Sequence, residues 1–171
     1  MAGKVILLFL RITLAAVFLY TGAVKVWNFK QGDWATQDFY YDIENYQLIS
    51  SSDALLIIAT YLPWLEIAVG LALLFGRAVL GASAWISLLL VVFIAALVSA
   101  WLRGLDISCG CFGHETQNRT NYPVHLAGNI ALLLAALTVM AHELWATSGP
   151  GLRWPFVPSP RRNAPPADTA S

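Results

Sequence analysis

Residues 78–102 read AVLGASAWISLLLVVFIAALVSAWL, and Arg77 and Arg103 bracket them with no charged side chain between. The hydrocarbon core of a bilayer, about 30 Å thick, takes about 20 apolar residues of helix, so this stretch is long enough to cross it. A helix lying on the core of a soluble bundle keeps a polar face at a 3.6-residue period. Here the apolar residues run all the way round. Three further stretches share the length and the character: Val5–Val24, Ala54–Phe75 and Pro123–Trp145. Composition points the same way, with 58% hydrophobic and 12% charged residues among 171, against roughly 45–50% and ~25% in soluble domains. Ten Lys/Arg balance ten Asp/Glu, and no basic run could follow a nucleic-acid backbone. The expected partner is therefore the lipid bilayer, not nucleic acid, and the expected fold is an all-α integral membrane four-helix bundle.

The ends of the spans carry ordinary helix signals. Pro123 opens the fourth, where a missing N–H is harmless, and Ser52 or Asp53 is placed to cap the second. Lys4 and the small residues Thr21-Gly22-Ala23 also fit a cleaved signal peptide, but Arg11 interrupts the apolar region early. Lys4, Arg77, Arg153, Arg161 and Arg162 fall on one side, and Lys25, Lys30, Arg103 and Arg119 on the other. Basic residues favour the cytoplasmic side, so both termini are expected there. Between the first two spans, Phe39, Ile43 and Tyr46 recur at helical spacing, which predicts a short amphipathic helix in the interface. Gly81, Gly128 with Asn129, and the Ala95/Ser99 spacing are the expected sites of close helix packing. The membrane domain is expected over residues 1–147, and the proline-rich residues 148–171 as a disordered cytoplasmic tail.

Both cysteines of the chain fall in one motif, Ser108-Cys109-Gly110-Cys111-Phe112-Gly113-His114, just before the fourth span. Gly110 gives the backbone the freedom to close a small ring. A disulfide across one intervening residue departs from the preferred Cα separation and is easily reduced. Such a bond is a candidate redox pair. Two other readings stay open. Cys109, Cys111 and His114 could begin a zinc or copper site completed by His125 or Glu115, or the thiols could be structural or inert. Lys25 and His114 are candidates for stabilising a thiolate.

Arg11 and Glu66 lie inside spans, where an ionisable side chain costs at least ~2.5–3.5 kcal/mol on insertion scales. If the first two spans are flush at the cytoplasmic face, Glu66 lies about 5 Å from the level of Arg11 and about 16 Å from Lys25. The expected intramembrane pair is thus Arg11–Glu66, either locking two helices or lining a quinone-associated pocket, with Pro63 nearby to free a carbonyl.

Arg11, Phe18-Leu19-Tyr20-Thr21-Gly22 with Lys25, and Leu62-Pro63-Trp64-Leu65-Glu66-Ile67-Ala68-Val69-Gly70 together resemble the DoxX-like membrane superfamily. The added Ser108-Cys109-Gly110-Cys111-Phe112-Gly113 is similar to its methylamine-utilisation MauE branch. The resemblance runs from about Val5 to Trp145. It implies a four-helix protein of the bacterial inner membrane that serves periplasmic redox maturation, namely that of the methylamine dehydrogenase small subunit. It also implies a thioredoxin-like partner or a disulfide-containing client. On this basis Cys109 and Cys111 would be a thiol–disulfide redox pair, and Arg11, Lys25 and Glu66 polar positions without assigned roles. No cofactor is firmly implied, a quinone being the one candidate. Two rivals follow: a non-enzymatic assembly or chaperone factor, and a subunit of a quinone-coupled oxidoreductase.

Overall fold

The computed structural model describes residues 2–28, 33–105 and 121–147. Among the described residues five helices carry the fold: α1 (Ala2–Val26), α2 (Thr36–Asn45), α3 (Ser52–Phe75), α4 (Val79–Leu102) and α5 (Tyr122–Thr147). α1, α3, α4 and α5 are long and apolar enough to cross a membrane. They match the four expected spans to within a few residues. The protein is an all-α, multi-pass membrane bundle.

α1 packs along α3 and α4 along α5, and α1–α5 and α3–α4 contacts close the ring. Its centre holds Leu14 and Phe18 of α1, Val69 and Leu73 of α3, Ile86 and Leu90 of α4, and Ala136 and Val139 of α5. Lipid tails are as apolar as these side chains, so close packing holds the helices together in a bilayer, with little help from a hydrophobic driving force. Ser83 and Ser87 are buried on α4 and bond within it. Each hydroxyl donates within its own helix, to Leu80 O at 3.0 Å and Ser83 O at 2.8 Å.

Helix ends follow from local chemistry. Ser51, one residue before the expected caps, has extended backbone and its Oγ accepts from Ala54 N. Gly76 closes α3 in the left-handed region at φ 69°, where a side chain would be strained. A three-residue turn then reverses the chain into α4.

The closest approach between spans lies elsewhere than expected. A Cβ on Gly22 would sit 2.8 Å from Ile67, 2.9 Å from the Pro63 carbonyl and 3.2 Å from Glu66 Cβ. One on Gly70 would meet Leu19 at 2.9 Å. Gly81 and Gly128 have nothing within 4 Å. Glycine in an apolar span permits close packing, but only the partner's register decides where it is used.

Those contacts fix the register of the antiparallel α1–α3 pair: Gly22 faces Glu66, Leu19 faces Gly70, and the Arg11 guanidinium lies beside Gly76. The two helices are therefore not flush. α1 ends near the level of residue 62, so about ten residues of α3 stand beyond it. A short antiparallel ribbon, β1 (Trp27–Asn28) with β2 (Asp33–Trp34), and α2 occupy that space. The expected amphipathic helix is present, but the face bearing Phe39 and Tyr46 is buried in the bundle. The shortfall of α1 leaves apolar walls on α3 and α4 for that face to cover.

Candidate functional site

Two polar arrangements stand out at the end of the bundle that α2 covers. The deeper one joins α1 and α3. Lys25 Nζ donates to Glu66 Oε1 at 2.6 Å, and both side chains are about nine-tenths buried. The ring of Phe39, from α2, lies 4.9 Å from the same ammonium, within cation–π range. Glu66 Oε2 is buried and accepts no hydrogen bond among the described residues.

This geometry corrects the expected Arg11–Glu66 pair. Glu66 is level with Gly22, so Lys25 stands three residues above it, about 4.5 Å along the axis, and Arg11 eleven residues below, about 16 Å. Direction adds to distance, because helical side chains lean toward their own N-terminus. In antiparallel helices Lys25 leans down toward Glu66 while Glu66 leans up. Arg11 leans away. Its guanidinium reaches the C-terminal turn of α3, 3.4 Å from where a Gly76 Cβ would lie, where the helix dipole favours a cation. The two helices are staggered and not flush, and the stagger gives Glu66 to Lys25.

The second arrangement lies where α2, α4 and α5 meet. Arg103 follows α4 and donates from Nη2 to Tyr46 O, from Nη1 to Gln47 O at 3.4 Å, and from Nε to Ser99 O at 3.2 Å. One guanidinium thus faces the carbonyl ends of two helices. Gln47 is held at φ 51°, an uncommon conformation for a residue with a side chain. Tyr122, in the first turn of α5, donates its hydroxyl to Leu105 O and stacks on Trp101 at 6.2 Å. Tyr46 sits edge-on to Phe93. Burial pushes its phenol well above the usual tyrosine range, and Asp42 and Tyr122 add to the rise.

Of the residues singled out in the sequence, Lys25 and Glu66 are brought together and Arg11 is kept apart. Cys109, Cys111 and His114 lie outside the described residues. Phe39 stands on the expected apolar face of the short helix, but its place over Lys25 was not foreseen, and Asp42, Arg103 and Tyr122 were missed. A helix of ten residues does not reveal which neighbour its face meets. Arg103 and Tyr122 looked like ordinary span boundaries, and no short-range signal marks their partners.

No curated protein and no solved structure matches the chain. The family model for methylamine utilisation protein MauE matches residues 3–142. That match takes in the first three spans, most of the fourth, the Lys25–Glu66 pair and the segment carrying both cysteines, and the chain belongs to the MauE family.

Proposed function

We propose that this protein is a thiol–disulfide redox factor of the membrane, working through Cys109 and Cys111 at the outward end of the bundle. Family membership implies involvement in methylamine utilisation as a membrane protein; the chemistry assigned to the cysteines goes beyond it. One observation carries the reading. The chain's two cysteines stand two apart in the segment between α4 and α5, and the described flanks of that segment are fastened by Tyr122 to Leu105 and by Arg103 to α2. A redox pair that must meet a soluble protein benefits from a fixed base, since orientation is a large part of an exchange rate.

The reaction is exchange with a thioredoxin-like partner or a disulfide-containing client. A thiolate of one pair attacks the disulfide of the other and forms a mixed disulfide. The second thiol resolves it, so one disulfide forms as the other becomes two thiols, and electrons and protons balance between the two proteins. The outward direction is supported by Arg11 and Arg77 at the opposite end, where basic residues favour the cytoplasm. In the same reading residues 148–171 form a cytoplasmic tail.

The test is trapping in cells. Cys111→Ser should leave Cys109 as a stable mixed disulfide, or Cys109→Ser should leave Cys111 so, with a periplasmic thiol protein identifiable by mass. The double variant should lose both the adduct and the maturation of the client. A double variant that supports full client maturation overturns the redox reading and leaves an assembly factor.

A further inference from the structure

The Lys25–Glu66 pair has acceptors that it does not satisfy itself. Glu66 Oε2 is buried and accepts nothing from the described residues. Pro63 is fully buried one turn away, and its nitrogen has no hydrogen to give the carbonyl of Ala59, four residues earlier. Ala59, Pro63, Glu66 and Gly70 are all buried along one stripe of α3. On the donor side, an ammonium has three hydrogens, of which Lys25 gives one to Glu66 Oε1.

We infer that Glu66 Oε2, Lys25 Nζ and the Ala59 carbonyl form a binding site for one small neutral O–H donor between α1 and α3. Its hydrogens go to the carboxylate and the carbonyl, and its oxygen accepts from the ammonium. Charge and size narrow the class. A bound cation would face the Lys25 ammonium, and a bound anion the Glu66 carboxylate, so the occupant is neutral. The close approach of Gly22 to Pro63, Ile67 and Glu66 bounds the site on one side, and the Phe39 ring lies over Lys25. A water molecule, which buried polar groups commonly hold through about three hydrogen bonds, has the required two hydrogens and lone pairs. The hydroxyl of an amphiphile offers the same chemistry with one hydrogen. This inference does not depend on the cysteines.

The test is infrared difference spectroscopy of the full chain in lipid nanodiscs, wild type minus Glu66→Gln, in H2O, D2O and 18O-labelled water. The expected result is an O–H stretching band, lost in Glu66→Gln, that moves with deuterium and again with 18O, which identifies water. A band that moves with deuterium alone and is lost on delipidation identifies an amphiphile hydroxyl at the same site. A band that moves with deuterium alone and survives delipidation belongs to the Lys25 ammonium and overturns the proposal, as does the absence of any such band. If Glu66→Gln does not fold, Glu66→Asp draws the carboxylate back toward α3 and must shift the band; an unmoved band overturns the proposal equally.

Discussion

Lys25 and Glu66 illustrate how a charge is kept inside an apolar bundle. Each neutralises the other at 2.6 Å, and neither can be removed alone without leaving its partner buried and unpaired. Breaking such a pair from one side costs about 3–5 kcal/mol, whereas replacing both members with apolar groups costs far less. Lys25→Met and Glu66→Gln should therefore each lower the unfolding free energy in micelles by that order, and Lys25→Met with Glu66→Leu should recover most of it. Arg11→Gln should cost only about 0.3–1 kcal/mol, the scale of a cation at a helix C-terminus. If denaturant titration ranks Arg11→Gln with the Glu66 variant, the pairing seen here is wrong. Tyr46 offers a second test, by pH. Its raised pKa, due first to burial and then to Asp42 and Tyr122, means that the folded protein prefers the neutral phenol. The stability it contributes is full below the ordinary tyrosine value of about 10 and is lost as pH rises beyond it. Tyr46→Phe should flatten the fall in melting temperature as pH rises above about 10.

The same glycine does different work according to what its helix meets. Gly22 abuts the Pro63 carbonyl, a backbone atom that cannot swing aside, so Gly22→Ala should push α1 from α3 and cost about 1–3 kcal/mol, as overpacking does. Gly128→Ala, with open space around it, should be neutral or gain up to about 1 kcal/mol from helix propensity. Thermal unfolding of the two variants side by side decides the matter. Arg103→Ala should release α2 from α4 and speed amide exchange in residues 36–47 about tenfold, leaving the spans protected. Uniform acceleration throughout would instead mean that α2 is not held separately. The spans themselves were legible because length and all-round apolarity are local properties, as the stretch between Arg77 and Arg103 shows. The contacts of Gly22 and Arg103 were not, because each depends on the register of a helix some forty to sixty residues away, and Phe39 meets Lys25 only once α2 has docked. Lys25 was visible as a polar residue near a span end, yet its partner could be chosen only once the stagger was known. The spacing of the two cysteines needs no tertiary information, and both lie outside the described residues.

As a whole, the bundle is a ring of four long helices completed at one end by a short one. α2 is there because α1 stops early, so the stagger of one helix pair determines the buried ion pair and the end of the bundle beside the cysteine segment together. That stagger also governs how the protein meets its bilayer. Residues before Arg11, including exposed Val5, Ile6 and Phe9, extend about 13 Å past the α3–α4 turn, while α3 rises about 15 Å beyond the end of α1. A slab of hydrocarbon about 30 Å thick matched to α1 leaves the top of α3 uncovered, and one matched to α3 strands the first turns of α1. Tilt and local thinning must absorb the difference, at a fraction of a kcal/mol for each ångström of mismatch. The protein should thus be sensitive to acyl-chain length, its melting temperature passing through a maximum across a series of saturated lipids, and a first helix displaced along its neighbour makes membrane thickness a determinant of how firmly its buried charges are enclosed.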